Sequence, residues 1–255
     1  MIITKGQTYT SQRGAVKHSD ILANQERYGT KVYTTNKRGF VYILRVTSDL
    51  HTRSLAQRTQ ILWTPDISQV LFRLEIRPGM RICESGTGSG SLSTSFARAC
   101  MPTGHLFTFE FNEDRVGKAK TEFAEMGLSK FITVTHRDVL ANGFILEAPN
   151  EEDSVREASI DCVFLDLPSP QIAVEHANKV LRKQGKLCNF SPCIEQVQKA
   201  TTMMAKLGFY NIKTIECLAR ETIVRAIQFT SINPKVTEHK EEKDMDFAEK
   251  RAGEI

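Results

Sequence analysis

Glu84-Ser85-Gly86-Thr87-Gly88-Ser89-Gly90-Ser91 is the stretch on which the fold turns, because three further acids follow it at nearly constant intervals. Glu84, Glu110, Asp138 and Asp166 stand 26, 28 and 28 residues apart. Each interval is about one strand plus one helix of a repeating β/α unit. Each acid also closes an apolar run: Met80 to Cys83, Leu106 to Phe109, Phe131 to Thr135 and Ile160 to Leu165. The four carboxylates are therefore expected along one edge of one sheet. In open α/β sheets that edge, outside the carboxyl ends of the strands, is where ligands bind.

Gly86, Gly88 and Gly90 alone would equally suit a dinucleotide-binding dehydrogenase, whose glycine turn and helix N-terminus cradle a pyrophosphate. The acids separate the two readings. A carboxylate just before the glycines repels that anion, whereas S-adenosylmethionine carries no phosphate and presents a cationic sulfonium and an ammonium group. Glu84 then favours the ligand electrostatically. Glu110 offers two acceptor oxygens to the ribose hydroxyls, and Asp138 suits the adenine amino group. Any one of these acids could be an ordinary strand-end cap, but four in phase point to a site.

The 255 residues allow one large domain and a small one. Hydrophobic residues at 40% and charged residues at 25% are those of a soluble globular protein. The start, Met1-Ile-Ile-Thr-Lys-Gly6, has no apolar signal core, and no window reaches the length of a membrane span. Cys83, Cys100, Cys162, Cys188, Cys193 and Cys217 form no CxxC pair and no zinc-like arrangement with histidines, so a reducing compartment and no metal are expected. Charge is unevenly spread. Residues 1–60 hold ten Lys or Arg against three acids, net +7 in a chain of net +4. A basic segment beside a mildly acidic remainder suits a polyanionic substrate.

Gly14–Lys17, Thr30–Thr34 and Phe40–Val46 are rich in β-branched and aromatic residues and are expected as strands of a small, basic, barrel-like β domain over residues 1–65. A helix follows, with Thr64 or Asp66 as cap and Ile67, Val70, Leu71 and Leu74 on one face. The β/α repeat occupies residues 66–232. Its later helices are expected at Glu113–Met126, Gln171–Lys183 and Ile194–Leu207, the last ended by Gly208. Ile212–Ile215 and Ile223–Phe229 have no helix between them and are expected to pair antiparallel, closing a Rossmann-like, seven-stranded methyltransferase sheet in an α/β fold. Residues 147–157 read as a polar surface loop, and 233–255 as a charged tail.

Ile160-Asp-Cys-Val-Phe-Leu-Asp-Leu-Pro-Ser-Pro170 places Asp166 at a strand end, where two prolines force a rigid turn. Such a turn can hold a carboxylate and backbone carbonyls against a flat nucleobase. Together with Gln12-Arg-Gly-Ala-Val-Lys-His-Ser19, Arg58-Thr-Gln-Ile-Leu62, the glycine loop and Ser191-Pro-Cys-Ile-Glu-Gln-Val-Gln198, this segment resembles the catalytic-subunit family of the eukaryotic tRNA (adenine-58-N1)-methyltransferases, over most of residues 7–230. The resemblance implies cofactor contacts at Leu62, Ser89, Gly90, Ser91, Glu110, Arg115, Asp138 and Val139, beside Glu84, Gly86 and Gly88 of the loop. It implies Asp166 as the catalytic residue, also at the cofactor. It further implies tRNA as substrate, a heterotetramer with a related non-catalytic subunit, and residence in the nucleus. Trp63 and Gln171 depart from the family pattern, in which Tyr and Trp are more usual. Lys37 and Arg38, in the basic segment, are candidate RNA contacts. The other readings are a methyltransferase for protein or small molecules, a non-catalytic RNA-binding subunit and a dehydrogenase. The Asp-Leu-Pro-Ser-Pro turn, the intact glycine loop and the placement of acids argue against these in turn.

Overall fold

The structure, a computed structural model, describes residues 3–55, 59–218, 220 and 222–224. Residues up to Cys217 form one compact unit. It opens with an antiparallel ribbon of β1 (Thr8–Ser11) and β2 (Gly14–Lys17), followed by α1 (His18–Leu22). A second ribbon joins β3 (Lys31–Tyr33) to β4 (Phe40–Tyr42). Then come α2 (Ser48–Ser54) and α3 (Thr64–Leu74).

The β/α repeat follows as β5 (Arg81–Ser85), α4 (Ser91–Cys100), β6 (His105–Glu110), α5 (Glu113–Glu125), β7 (Ile132–His136), α6 (Val139–Asn142), β8 (Ile160–Asp166), α7 (Pro170–Val180), β9 (Leu181–Phe190) and α8 (Ile194–Lys206). The five strands run parallel in the order β7-β6-β5-β8-β9. The chain winds outward from β5 to β7 and then returns to the other side of β5. That reversal opens a crevice at the carboxyl ends of β5 and β8.

Strand residues alternate between two apolar layers. Ile82, Leu106, Cys162 and Phe164 face the core built with α3, α4 and α5. Cys83, Phe107, Phe109, Val163 and Leu165 face the one built with α7 and α8. Both faces being covered is what continuous apolar strands require. Burial is deepest along β5, β6 and β8, the strands that lead to Ser85, Glu110 and Asp166.

Several expectations change. Among the described residues the sheet has five strands, and Ile212–Ile215 forms no ladder. High β propensity makes a strand only where a partner takes up its N–H and C=O groups. Residues 225–229 of the expected partner, Arg58 and the tail from residue 233 lie outside the described residues. Among the described residues the segment before α2 shows two ribbons, of four-residue and three-residue strands, and no barrel: β4 ends at Tyr42 and only Ile43 continues the pairing, with Gly29 and Thr30. Thr64 does not cap α3. Its hydroxyl donates to Asp49 at 2.5 Å and ties α3 to α2. Residues 147–157 are not wholly a surface loop: Val155 is buried and bridges Leu146, and the Arg81 guanidinium holds the Glu152 and Ser154 carbonyls. No helix among the described residues is long and apolar enough to cross a membrane, and among them no group of three or more His, Cys, Asp and Glu could hold a metal ion.

Candidate functional site

A cavity of about 510 Å³ opens at the carboxyl edge of the sheet, within the size range of small-molecule and cofactor sites. All four periodic acids line it, together with Leu62, Gly86, Gly88, Ser89, Ser91, Arg115 and Val139. Gly90 does not. It is the residue before α4, in a left-handed conformation (φ +78°), where a Cβ would meet the Phe123 ring at 3.0 Å. Lys37 and Arg38 stand at the β3–β4 turn and are not part of the cavity wall. Thr59 and Pro168, from two of the quoted motifs, line it as well, as do Phe111 and Arg137, which lie in none of them. Phe111 and Arg137 are chain neighbours of Glu110 and Asp138, so adjacency to the strand-end acids was the signal available.

The four acids have distinct environments. Glu84, 1% exposed, accepts the Ser93 hydroxyl at 2.5 Å and the Thr108 hydroxyl at 2.7 Å, and Thr87 of the glycine loop joins through Thr108 at 2.7 Å. Burial pushes its carboxyl up to about 7, against the lowering by the two hydroxyls and with further raising by the charges of Asp166 and Glu110. Glu110, 3% exposed, accepts from the Gly88 N–H and the Asn112 N–H, both at 3.0 Å, and from Arg115 Nη2 at 2.6 Å. Burial alone would raise its carboxyl. The Arg115 guanidinium and the two N–H groups together outweigh burial and hold it below the usual glutamate range. Asp138 caps α6 by accepting from the Leu140 N–H at 2.9 Å. Asp166, exposed at the end of β8, is held above the ordinary aspartate value by the protein that displaces its water.

Glu84 gives a pH prediction with a definite sign. A carboxyl whose folded value exceeds its unfolded one favours folding while protonated. That stability is fully present below about pH 4.5 and is lost as pH rises through about 7. Thermal unfolding of the ligand-free chain should therefore show a falling midpoint across that window, and Glu84→Gln should flatten it. Equal slopes for the two proteins would remove Glu84 as the cause.

The turn after β8 is braced from two sides. A Cβ at Gly86 (φ +94°) would lie 2.5 Å from the Asp166 carbonyl oxygen, so the glycine loop and the Asp166 backbone are in direct contact. From α8, Gln196 Nε2 donates to the Pro168 carbonyl at 3.0 Å. We expect Gln196→Ala to lower turnover about tenfold with cofactor affinity unchanged, a loss of roughly 1 to 1.5 kcal/mol for one hydrogen bond. Steady-state kinetics beside calorimetry checks this, and an unaltered turnover would show that the turn holds without Gln196.

The segment before α3 is pinned to the loop. Ser89 Oγ accepts from the Thr59 N–H at 3.4 Å and lies 3.1 Å from the Thr59 hydroxyl. Ser91 Oγ lies 2.8 Å from Thr52 Oγ1 and donates to the Leu62 carbonyl at 3.3 Å.

This lining fits S-adenosylmethionine and disfavours a dinucleotide. The two arginines in the wall are engaged, Arg115 with Glu110 and Arg137 with the Ile145 carbonyl. A pyrophosphate would meet Asp138, Asp166 and the Arg115-paired Glu110 with Arg137 as the one cation not paired to a carboxylate among the described lining residues, whereas a ligand bearing positive charge and no phosphate meets complementary groups.

Residues 39–254 match the family described as tRNA methyltransferase complex GCD14 subunit. The chain belongs to this family. Among its relatives is a protein of Dictyostelium discoideum named tRNA (adenine(58)-N(1))-methyltransferase catalytic subunit, 44% identical over 91% of this chain and 72% of its own length. A relative of Kluyveromyces lactis with the same description is 39% identical over 86% of the chain and 56% of its own length. The chain thus spans about half to three quarters of the relatives' length. A solved SAM-dependent O-methyltransferase of Thermotoga maritima has a TM-score of 0.74 and 26% identity, covering 87% of this chain and 77% of the other. The tRNA (m1A58) methyltransferase TrmI of Aquifex aeolicus, with a TM-score of 0.64 and 20% identity over 80% and 74%, shares the fold.

Proposed function

We propose that this chain is the catalytic subunit of a tRNA (adenine-58-N1)-methyltransferase, working with a related non-catalytic subunit in a heterotetramer in the nucleus. The observation that carries the reading is that Asp166, on a braced turn, shares one cavity with Glu110, Asp138 and the glycine loop in a chain of the GCD14 family. Glu84, Gly86, Gly88, Ser89, Glu110 and Asp138 would hold S-adenosylmethionine. That group supplies an electrophilic methyl on a cationic sulfur.

The remaining chemistry falls to the chain. N1 of neutral adenine carries no proton, so no general base is needed. Methylation there leaves positive charge on the ring, which the Asp166 carboxylate would stabilise while accepting a hydrogen bond from the exocyclic amine. Its raised proton affinity means that this role is lost at acid pH earlier than for an ordinary aspartate. The target base lies within a folded loop of the tRNA, so it must be unstacked at a cost of roughly a few kcal/mol. The basic first 60 residues and the second subunit would supply that binding energy.

The test is methyl transfer from labelled S-adenosylmethionine to a tRNA transcript and to the same transcript with guanine in place of adenine-58. Incorporation only into the first supports the assignment. Equal incorporation into both, or none with the second subunit present, overturns it.

A further inference from the structure

The β3–β4 ribbon carries a partly exposed aromatic row. Val32 is buried beneath it, while Lys31, Tyr33, Phe40 and Tyr42 all project from the other face, Lys31 opposite Tyr42 and Tyr33 opposite Phe40. Tyr33 is 57% and Tyr42 51% exposed. The rings meet edge to face, Tyr33 to Phe40 at 6.2 Å and Phe40 to Tyr42 at 5.2 Å. Each outer ring has one aromatic neighbour, so each keeps a face that no other described ring covers. Lys31 Nζ sits 4.4 Å from the Phe40 centroid and 5.6 Å from that of Tyr42.

The turn beyond this row is fixed. Thr34 Oγ1 donates to Asn36 Oδ1 at 2.7 Å and accepts from the Gly39 N–H at 2.9 Å, and Asn36 Oδ1 also accepts from the Arg38 N–H at 3.0 Å. Gly39 is packed so closely that a Cβ would lie 2.6 Å from the Arg13 carbonyl, and the Thr35 N–H donates to Ala15 at 2.8 Å. Lys37 itself is left-handed (φ +56°), where glycine or asparagine would sit with less strain. Exposed Arg13, Lys37 and Arg38 are thus gathered on a rigid tip next to the rings.

We propose that this ribbon is a stacking platform for unstacked nucleotides of an RNA chain, with Tyr33 and Tyr42 against bases and the turn cations against phosphates. The inference rests on the RNA reading above and extends it to a second surface. Cross-strand aromatics stabilise a ribbon, but the buried face already supplies its anchorage. A protein partner would favour the rings and disfavour the charge, since lysine is depleted at the centre of protein interfaces. Here a lysine lies within the row and the segment carries net +7. Stacking surfaces with interleaved cations are how single-stranded nucleic acid is gripped.

The test uses the full chain, with and without its second subunit. The probes are a tRNA transcript, a short single-stranded RNA and an abasic strand with the same number of phosphates. Tyr33→Ser with Tyr42→Ser should weaken RNA binding about ten- to a hundredfold, leave the salt slope and S-adenosylmethionine affinity unchanged, and scarcely affect the abasic strand. Lys37→Ala with Arg38→Ala should instead make the salt dependence shallower by up to about two units of slope. Unchanged RNA affinity in the tyrosine variant overturns the proposal, and if subunit association is lost instead, the face is a protein interface. Absence of adenine-58 methylation with tyrosine-dependent RNA binding intact would sink the proposed reaction and spare the platform.

Discussion

Replacing Asp166 by alanine should lower methyl transfer by on the order of a hundredfold or more while cofactor binding stays nearly as it was. The residue ends β8 at the cavity and is exposed towards it, and no described hydrogen bond consumes its carboxylate. One preorganised electrostatic contact made mainly in the transition state contributes about 3 kcal/mol. Asp166→Asn keeps the shape and an acceptor oxygen but removes the charge, so it should retain orientation and lose most of the rate. Turnover within a few-fold of wild type in the alanine variant would place the chemistry elsewhere. The acid limb of the rate profile adds a second check: it should reflect a group above the ordinary aspartate range and vanish in Asp166→Asn.

Glu110→Ala should act on binding instead. Its carboxylate has room for about four accepted hydrogen bonds, and three are already made, by Gly88, Asn112 and Arg115. Alanine therefore removes both an acceptor for a ligand hydroxyl and the group that fixes the Gly88 backbone. The expected loss in S-adenosylmethionine affinity is roughly 2 to 4 kcal/mol, read by calorimetry. Arg115→Ala should lose less, since it leaves the two backbone contacts in place. An affinity unaltered by Glu110→Ala would mean that the ligand does not reach β6.

Strand-end acids and the glycine loop were legible because both are local signals: a period of one β/α unit and a residue type that tolerates positive φ. All four acids do reach one cavity. Their occupations were not legible, because Ser93 to Glu84 and Thr108 to Glu84 are contacts between different elements. Glu84 lines the cavity, but nothing in its own segment announced that two hydroxyls from other elements also hold its carboxylate. The part played by Gln196 was hidden for the same reason: it lies within the quoted Ser191–Gln198 motif, but its partner, Pro168, lies across the fold. The ends of elements were also poorly marked. Helix α7 stops at Val180 because β9 begins at once, and nothing in Leu181-Arg-Lys183 announces the change.

The contact between Gly86 and the Asp166 carbonyl carries one further consequence. The loop that would face the methyl donor and the turn that would face the acceptor base are two sides of a single wall, one backbone thickness apart. The gap between the two reactants is then a gauge set by a missing carbon atom. Even alanine at position 86 would prise the sides apart, and the penalty would fall on how closely the reactants can approach, with each still able to bind on its own.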